Sequence, residues 1–202
     1  MIKNALTILV IFISFALLIG AKCGITGGDI AQSVNDSINF LIPKGGHYSS
    51  PRLNQTHQGV TKITYYIQFE QNCKYKLTTK DSNDINKAYG FSFGNHQLNS
   101  TRLGWNWKSD TLMLYNYSYF GGQRVSRRIG TYRLSSPIYV EQKLSKDTSW
   151  ISLVQNGVGK SIFVVGMGIT PTSGYILYPY FGGTSVAPNA MNIKIWGVKF
   201  QN

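Results

Sequence analysis

From Lys62 to Glu70 apolar and polar residues alternate without a break. Ile63, Tyr65, Ile67 and Phe69 share one face, and Lys62, Thr64, Tyr66, Gln68 and Glu70 share the other. That period of two predicts a strand with one face in a core. Further runs rich in Tyr, Thr, Ile, Val and Phe, bounded by Gly or Asn-Gly clusters, predict strands at Asn39–Ile42, Phe91–Gly94, Thr101–Trp107, Thr111–Phe120, Gln123–Arg133, Ile138–Leu144, Ser149–Gln155, Ser161–Val165, Tyr175–Tyr180 and Met191–Phe200. No segment after the first 22 residues sustains a helical period. Ten or eleven short strands in one unit predict an all-β fold, a two-sheet antiparallel jelly-roll sandwich. The polar stretch Thr79 to Ala88 is predicted to be a loop with room for one helical turn.

Two turn signals fix register, and register fixes faces. A two-residue turn at Ser109-Asp110 pairs Trp107 with Leu112, Trp105 with Leu114 and Leu103 with Asn116 on a core face. Gly121-Gly122, suited to the positive φ angles of a type I′ turn, pairs Tyr119 with Arg124, Tyr117 with Ser126 and Tyr115 with Arg128. The face away from the core then carries Arg102, Asn106, Tyr115, Tyr117, Tyr119, Arg124 and Arg128 across three adjacent strands. Flat rings can stack on sugars, and guanidinium forks bind carboxylates or sulfates in bidentate fashion. These residues, with His96 nearby, form the candidate ligand site. A solvated strand face built of Tyr and Arg is the structural alternative. Arg127 conflicts with this register, because it points at the core between Val125 and Ile129; either its stem snorkels or a bulge intervenes.

The N-terminus changes the setting. Residues 1–22 open with Met-Ile-Lys and run apolar from Ala5 to about Gly20, the layout of a secretory signal peptide. Residues 23–202 are then one exported β-sandwich domain, secreted or held at the cell surface. The run is slightly short for a membrane span. Two cysteines, Cys23 and Cys73, predict a disulfide in an oxidising compartment. Lipidation of Cys23 is the competing reading, and Lys22 directly before it argues against that. Twenty Lys and Arg against eight Asp and Glu give a net charge of +12, which favours an acidic partner. Export argues against nucleic acid as that partner, and membrane contact is left to a lipid or an uncleaved signal anchor.

The acids Asp29, Asp36, Glu70, Asp81, Asp84, Asp110, Glu141 and Asp147 include no close cluster of the kind paired-carboxylate hydrolysis needs. A polysaccharide lyase needs no acidic pair, since Arg, Asn, Gln or His neutralises a uronate carboxylate and Tyr, His or Lys removes the adjacent proton. Arg102, His96, Gln97 and Tyr115 or Tyr117 form that candidate group. His47, His57 and His96 lack metal-ligand spacing and read as surface hydrogen-bonding residues. Asp81, Asn83 and Asp84 are oxygen-rich but lack the glycine and distal glutamate of an EF-hand loop. No cofactor or metal motif is present.

Ile42-Pro43-Lys44-Gly45-Gly46-His47-Tyr48-Ser49, Asp84-Ile85-Asn86-Lys87 with Tyr89-Gly90-Phe91-Ser92, Asn99-Ser100-Thr101-Arg102-Leu103-Gly104-Trp105, Gly121-Gly122-Gln123-Arg124 and Leu177-Tyr178-Pro179-Tyr180-Phe181-Gly182-Gly183 occur in this order. With Ala187-Pro188 and the last strand, this set resembles a group of uncharacterised exported bacterial proteins, often lipid-anchored, with concanavalin-like jelly-roll domains. The resemblance spans about residues 40 to 200. It implies the same fold and a place in glycan-handling or cell-surface systems. The expectation is an exported carbohydrate-binding domain for an anionic polysaccharide. A uronate lyase and a structural or adhesion protein are the alternatives.

Overall fold

The computed structural model describes residues 37–77, 80–166, 169–170 and 172–202. The predicted signal segment and Cys23 lie outside them. Among the described residues no helix is long and apolar enough to cross a membrane.

The described residues form twelve strands in chain order: β1 (Ile38–Ile42), β2 (Thr56–His57), β3 (Lys62–Phe69), β4 (Asn86–Ser92), β5 (Ser100–Lys108), β6 (Thr111–Phe120), β7 (Gln123–Tyr132), β8 (Ile138–Leu144), β9 (Thr148–Gln155), β10 (Val158–Val165), β11 (Gly174–Leu177) and β12 (Met191–Gln201). They form two six-stranded antiparallel sheets, ordered β1-β12-β3-β8-β9-β10 and β2-β11-β4-β5-β6-β7. Outside them are single 3-10 turns at Gln71–Cys73 and Lys80–Asn83. The expected jelly-roll sandwich is what the chain forms.

Alternation along β3 builds half the core. Ile63, Tyr65, Ile67 and Phe69 are all fully buried, and from the second sheet they face Phe91, Leu103, Trp105, Leu112 and Leu114. Burying each such side chain stabilises the fold by about 1.5–3 kcal/mol. Trp105 packs between Phe69 and Tyr75, with ring centroids 5.3 and 5.8 Å away. Polar groups inside are mostly paired. Gln142 Nε2 donates to the Tyr65 hydroxyl at 2.5 Å and to the Tyr89 carbonyl at 3.1 Å. Asn116 Oδ1 accepts from Ser118 and Ser149 at 2.7 and 3.1 Å. Asn116 is fully buried.

Both hairpin registers agree with the sequence reading. Trp107 pairs with Leu112 and Leu103 with Asn116 across a turn whose Ser109 and Asp110 have φ of 50° and 53°. Tyr119 pairs with Arg124, Tyr117 with Ser126 and Tyr115 with Arg128 across Gly121 and Gly122. Arg127 pairs with Asn116 yet stays exposed, because β7 is the sheet's outer strand and the core ends there. A bulge follows at Ile129, skipped between the pairs Tyr115–Arg128 and Leu114–Gly130.

Three expectations are corrected, and one short strand is new. The segment expected to be a loop to Ala88 turns into β4 at Asn86, because pairing with β5 outweighs the polar composition of Asn86-Lys87. The strand expected to reach Tyr180 stops at Leu177, after which Pro179 can donate nothing to a ladder. The two-residue β2 was not anticipated. His57 is not a surface residue: it is 8% exposed, its Nε2 lies 2.9 Å from the Ser92 carbonyl, and Nδ1 accepts from the Val60 amide. Cys73 is a free thiol in this structure, fully buried and donating to the Asn192 carbonyl at 3.2 Å. The expected Cys23–Cys73 bridge therefore rests on a residue outside the described ones.

Candidate functional site

On the outer face of the second sheet a cavity of about 630 Å³ opens between β4, β5, β6 and the segments that flank β11. Arg102 and Lys87 stand in it. Tyr117, Tyr119, Tyr178 and Tyr180 wall it, His96 and Gln97 line one side, and Tyr48 and Arg52 line another. Among the described residues that line it there is no carboxylate.

Strand pairing explains how these groups meet. Arg102 on β5 lies opposite Tyr117 on β6 and Gly90 on β4, and Gly90 in turn lies opposite Leu177 on β11. Gly90 is required there: a Cβ on it would sit 2.0 Å from the Thr101 carbonyl oxygen. Lys87 is opposite Gly104 and is bridged to Tyr180, which is itself bridged to Tyr48. Leaving the ladder at Leu177 is what allows Tyr178-Pro179-Tyr180 to bring the Tyr178 carbonyl to Arg102 and the Tyr180 ring to Lys87, while the Tyr178 ring packs on Phe40 and Tyr89.

Contacts fix each cation. Arg102 Nη2 donates to the Tyr178 carbonyl at 2.6 Å, while its buried Nε has no partner among the described residues. Lys87 Nζ lies 4.9 Å from the Tyr117 ring centre and 5.7 Å from that of Tyr180. Cation–π contacts of this kind hold an ammonium without neutralising it. Arg52 lies 4.5 Å over the Tyr48 ring, and Tyr48 packs edge-on against Tyr180 at 5.1 Å. Tyr117 and Tyr119 hydroxyls are 3.4 Å apart.

Burial and mutual repulsion tune the charges. Desolvation, and then the Arg102 charge, bring Lys87 down to about 8; Arg124 adds to that, while Asp84 opposes it. Desolvation lowers Arg102 to about 10, with the surrounding tyrosines opposing. His96 is lowered by burial and by Arg102, so its imidazole is neutral at pH 7. Burial lifts Tyr117 to about 12, with the hydroxyl of Tyr119 raising it further and Arg124 opposing. Ion pairs among the described residues join Lys62 and Lys143 to Glu141, and Lys194 to Glu70, all on the other sheet. Neither Arg102 nor Lys87 belongs to one.

Of the residues the sequence singled out, Arg102, Tyr117, Tyr119 and His96 line the cavity, as does Gln97. Arg124, opposite Tyr119 on β7, is near enough to lower the Tyr117 pKa but does not line the cavity. Asn106 and Tyr115 do not line it: the Tyr115 hydroxyl donates to Asn106 Oδ1 at 3.3 Å and both sit farther along the strands. Arg128 is exposed on the edge strand, outside the cavity. Lys87, Tyr48, Arg52, Tyr178 and Tyr180 were missed. The only trace of most of them in the sequence is their place within the ordered motifs around His47-Tyr48, Asn86-Lys87 and Tyr178-Pro179-Tyr180. Asp81, part of the oxygen-rich cluster, accepts hydrogen bonds from Thr184 and Ser185, while Asn83 accepts one from Lys108.

No protein-family model matches the chain, and no curated protein matches it. Solved structures do. A marine alginate lyase of polysaccharide lyase family 7 from Zobellia galactanivorans is similar with a TM-score of 0.54 at 16% identity, covering 82% of this chain and 78% of that one. A protein of unknown function from Saccharomyces cerevisiae gives a TM-score of 0.49 at 8% identity over 78% of each chain. Carbohydrate binding module CBM66 from Bacillus subtilis gives 0.32 at 12% identity over 76% of each. At these identities the likeness to the alginate lyase is one of fold.

Proposed function

We propose that this protein is exported and binds an anionic polysaccharide in the cavity on its second sheet. The observation that carries the reading is the convergence of Arg102 and Lys87 in one tyrosine-walled cavity whose described lining residues include no carboxylate. Arg102 and Lys87 are half-buried and have no ion-pair partner among the described residues, and a partly desolvated cation left so raises the energy of the empty protein. A ligand carboxylate or sulfate relieves that cost, through charge-assisted hydrogen bonds that are stronger in a desolvated site. Tyr48, Tyr117, Tyr119 and Tyr180 supply rings for sugar faces. The jelly-roll likeness to an enzyme that acts on alginate, an acidic polymer, adds fold-level support.

One observation favours a second reading, a uronate lyase. His96, Gln97, Arg102 and Tyr117 line the same cavity, and His96 is neutral at pH 7. Arg102 would neutralise the uronate carboxylate, and His96 would take the proton from the adjacent carbon. The electron pair left behind forms the new double bond as the glycosidic C–O bond breaks, and Tyr117 protonates the departing oxygen.

One experiment separates the readings: the domain is presented to an array of acidic and neutral glycans at low and high salt, and ultraviolet absorbance of unsaturated uronate is followed in parallel. Binding that falls with salt and produces no absorbance supports a binding domain. New absorbance makes the protein a lyase. Failure to bind any acidic glycan refutes both.

A further inference from the structure

Three residues that line the cavity, Leu177, Arg102 and Tyr117, belong to a row of paired positions running across the strands: Leu177, Gly90, Arg102, Tyr117 and Ser126. Four strand spacings make this row about 19 Å long. It ends at Ser126 on β7, the outer strand, with no further strand beyond among the described residues. Ser126 is exposed and small. The residues two positions to either side on the same face are Arg124 and Arg128, both exposed and neither in an ion pair among the described residues. The row therefore finishes in a low notch between two arginine posts.

The bulge sets the second post. It falls directly after Arg128, at Ile129, so the ladder keeps Arg128 opposite Tyr115 on the cavity face before parity changes and Thr131 comes opposite Met113. Bulges at sheet edges commonly aim a side chain in this way.

We infer that the ligand is a chain that leaves the cavity across β7, over Ser126 and between Arg124 and Arg128, so that the site holds the interior of an acidic polymer rather than one sugar or a chain end. The inference rests on the anionic-polysaccharide reading above. Charges at the notch match a ligand bearing one anion per residue or per repeat: Arg102 and Lys87 meet the groups inside the cavity, and Arg124 and Arg128 meet the next ones outside it. Arginines on an edge strand also discourage strand-to-strand association. That role places no demand on the small residue between them, whereas passage of a chain does.

The test is the ratio of affinities for a long polyuronate and for its disaccharide, measured on the wild-type protein, on Ser126→Trp and on the double variant Arg124→Ala, Arg128→Ala. All three positions are exposed, and thermal unfolding verifies that each variant folds. The wild type is expected to prefer the polymer, mole for mole of disaccharide units. Ser126→Trp, which fills the notch, is expected to bring that ratio to about one. Loss of two exposed charge contacts in the double variant lowers polymer affinity about five- to tenfold. A polymer preference that survives in both variants overturns the exit path and leaves the cavity reading standing. An absence of binding to either ligand by the wild type overturns both.

Discussion

Raising the pH from 7 to 9 is expected to weaken anion binding about tenfold through Lys87 alone. Its amine is held down at about 8 by desolvation and by Arg102, with Arg124 adding to the effect and Asp84 opposing it. An amine with that pKa is about nine-tenths charged at pH 7 and about one-tenth charged at pH 9. If the ligand requires the ammonium form, the dissociation constant rises about tenfold over the interval, equivalent to about 1.4 kcal/mol. Neighbouring groups leave this window clear: His96 is lowered and already neutral, Tyr117 is raised to about 12, and Arg102, at about 10, remains charged at pH 9. The stability of the empty protein moves the other way. Because the folded pKa lies below the unfolded one, the unfolded chain binds more protons between about 8 and 10.5, so unfolding becomes harder as pH rises through that window. The assay is calorimetric titration with an acidic polymer at a series of pH values, in two buffers of different ionisation enthalpy, with Lys87→Gln as control. Proton uptake on binding near pH 8, absent in Lys87→Gln, is the expected result. An affinity that is flat from pH 7 to 9, or that falls equally in Lys87→Gln, refutes the reasoning.

Two further outcomes are expected. Asn116→Ala removes the acceptor shared by Ser118 and Ser149 and the donor to the Ser149 carbonyl, leaving the buried Ser118 hydroxyl unpaired while Ser149 keeps its contact with the Thr101 hydroxyl; it lowers unfolding free energy in denaturant titration by about 2 kcal/mol, and a change below a few tenths contradicts the network. Burial pushes the Cys73 thiol up to about 12, so iodoacetamide at pH 8 leaves it unmodified in the native protein and alkylates it in denaturant without reductant. Mass spectrometry reads both states, and a Cys73 that resists alkylation in denaturant marks a disulfide instead.

Much of the fold was legible because its information is local. Alternation along β3 identified four core side chains, and Ser109-Asp110 and Gly121-Gly122, which need positive φ, fixed two registers. Those registers put Arg102 opposite Tyr117, the centre of the candidate site. The remainder depends on contacts between distant parts of the chain. Tyr48 meets Tyr180 across 132 positions, and Lys87 reaches the cavity only because a polar segment pairs as β4. Composition says loop at Asn86-Lys87, and only the partner strand overrides it. Asn106, Tyr115 and Arg128 were assigned to the right face, but the tyrosine loop that roofs the cavity closes over a different part of it. Face can be read from period and turn type, whereas enclosure is a tertiary property.

The most direct test of the central claim is titration of an acidic polysaccharide, with a neutral polymer of similar backbone as control, into the wild-type domain and into Arg102→Ala. Binding of the acidic polymer alone, weakened by salt and lost in an Arg102→Ala protein that unfolds cooperatively, is the predicted result. Equal affinity for the neutral polymer, or full acidic-polymer affinity in Arg102→Ala, contradicts the account.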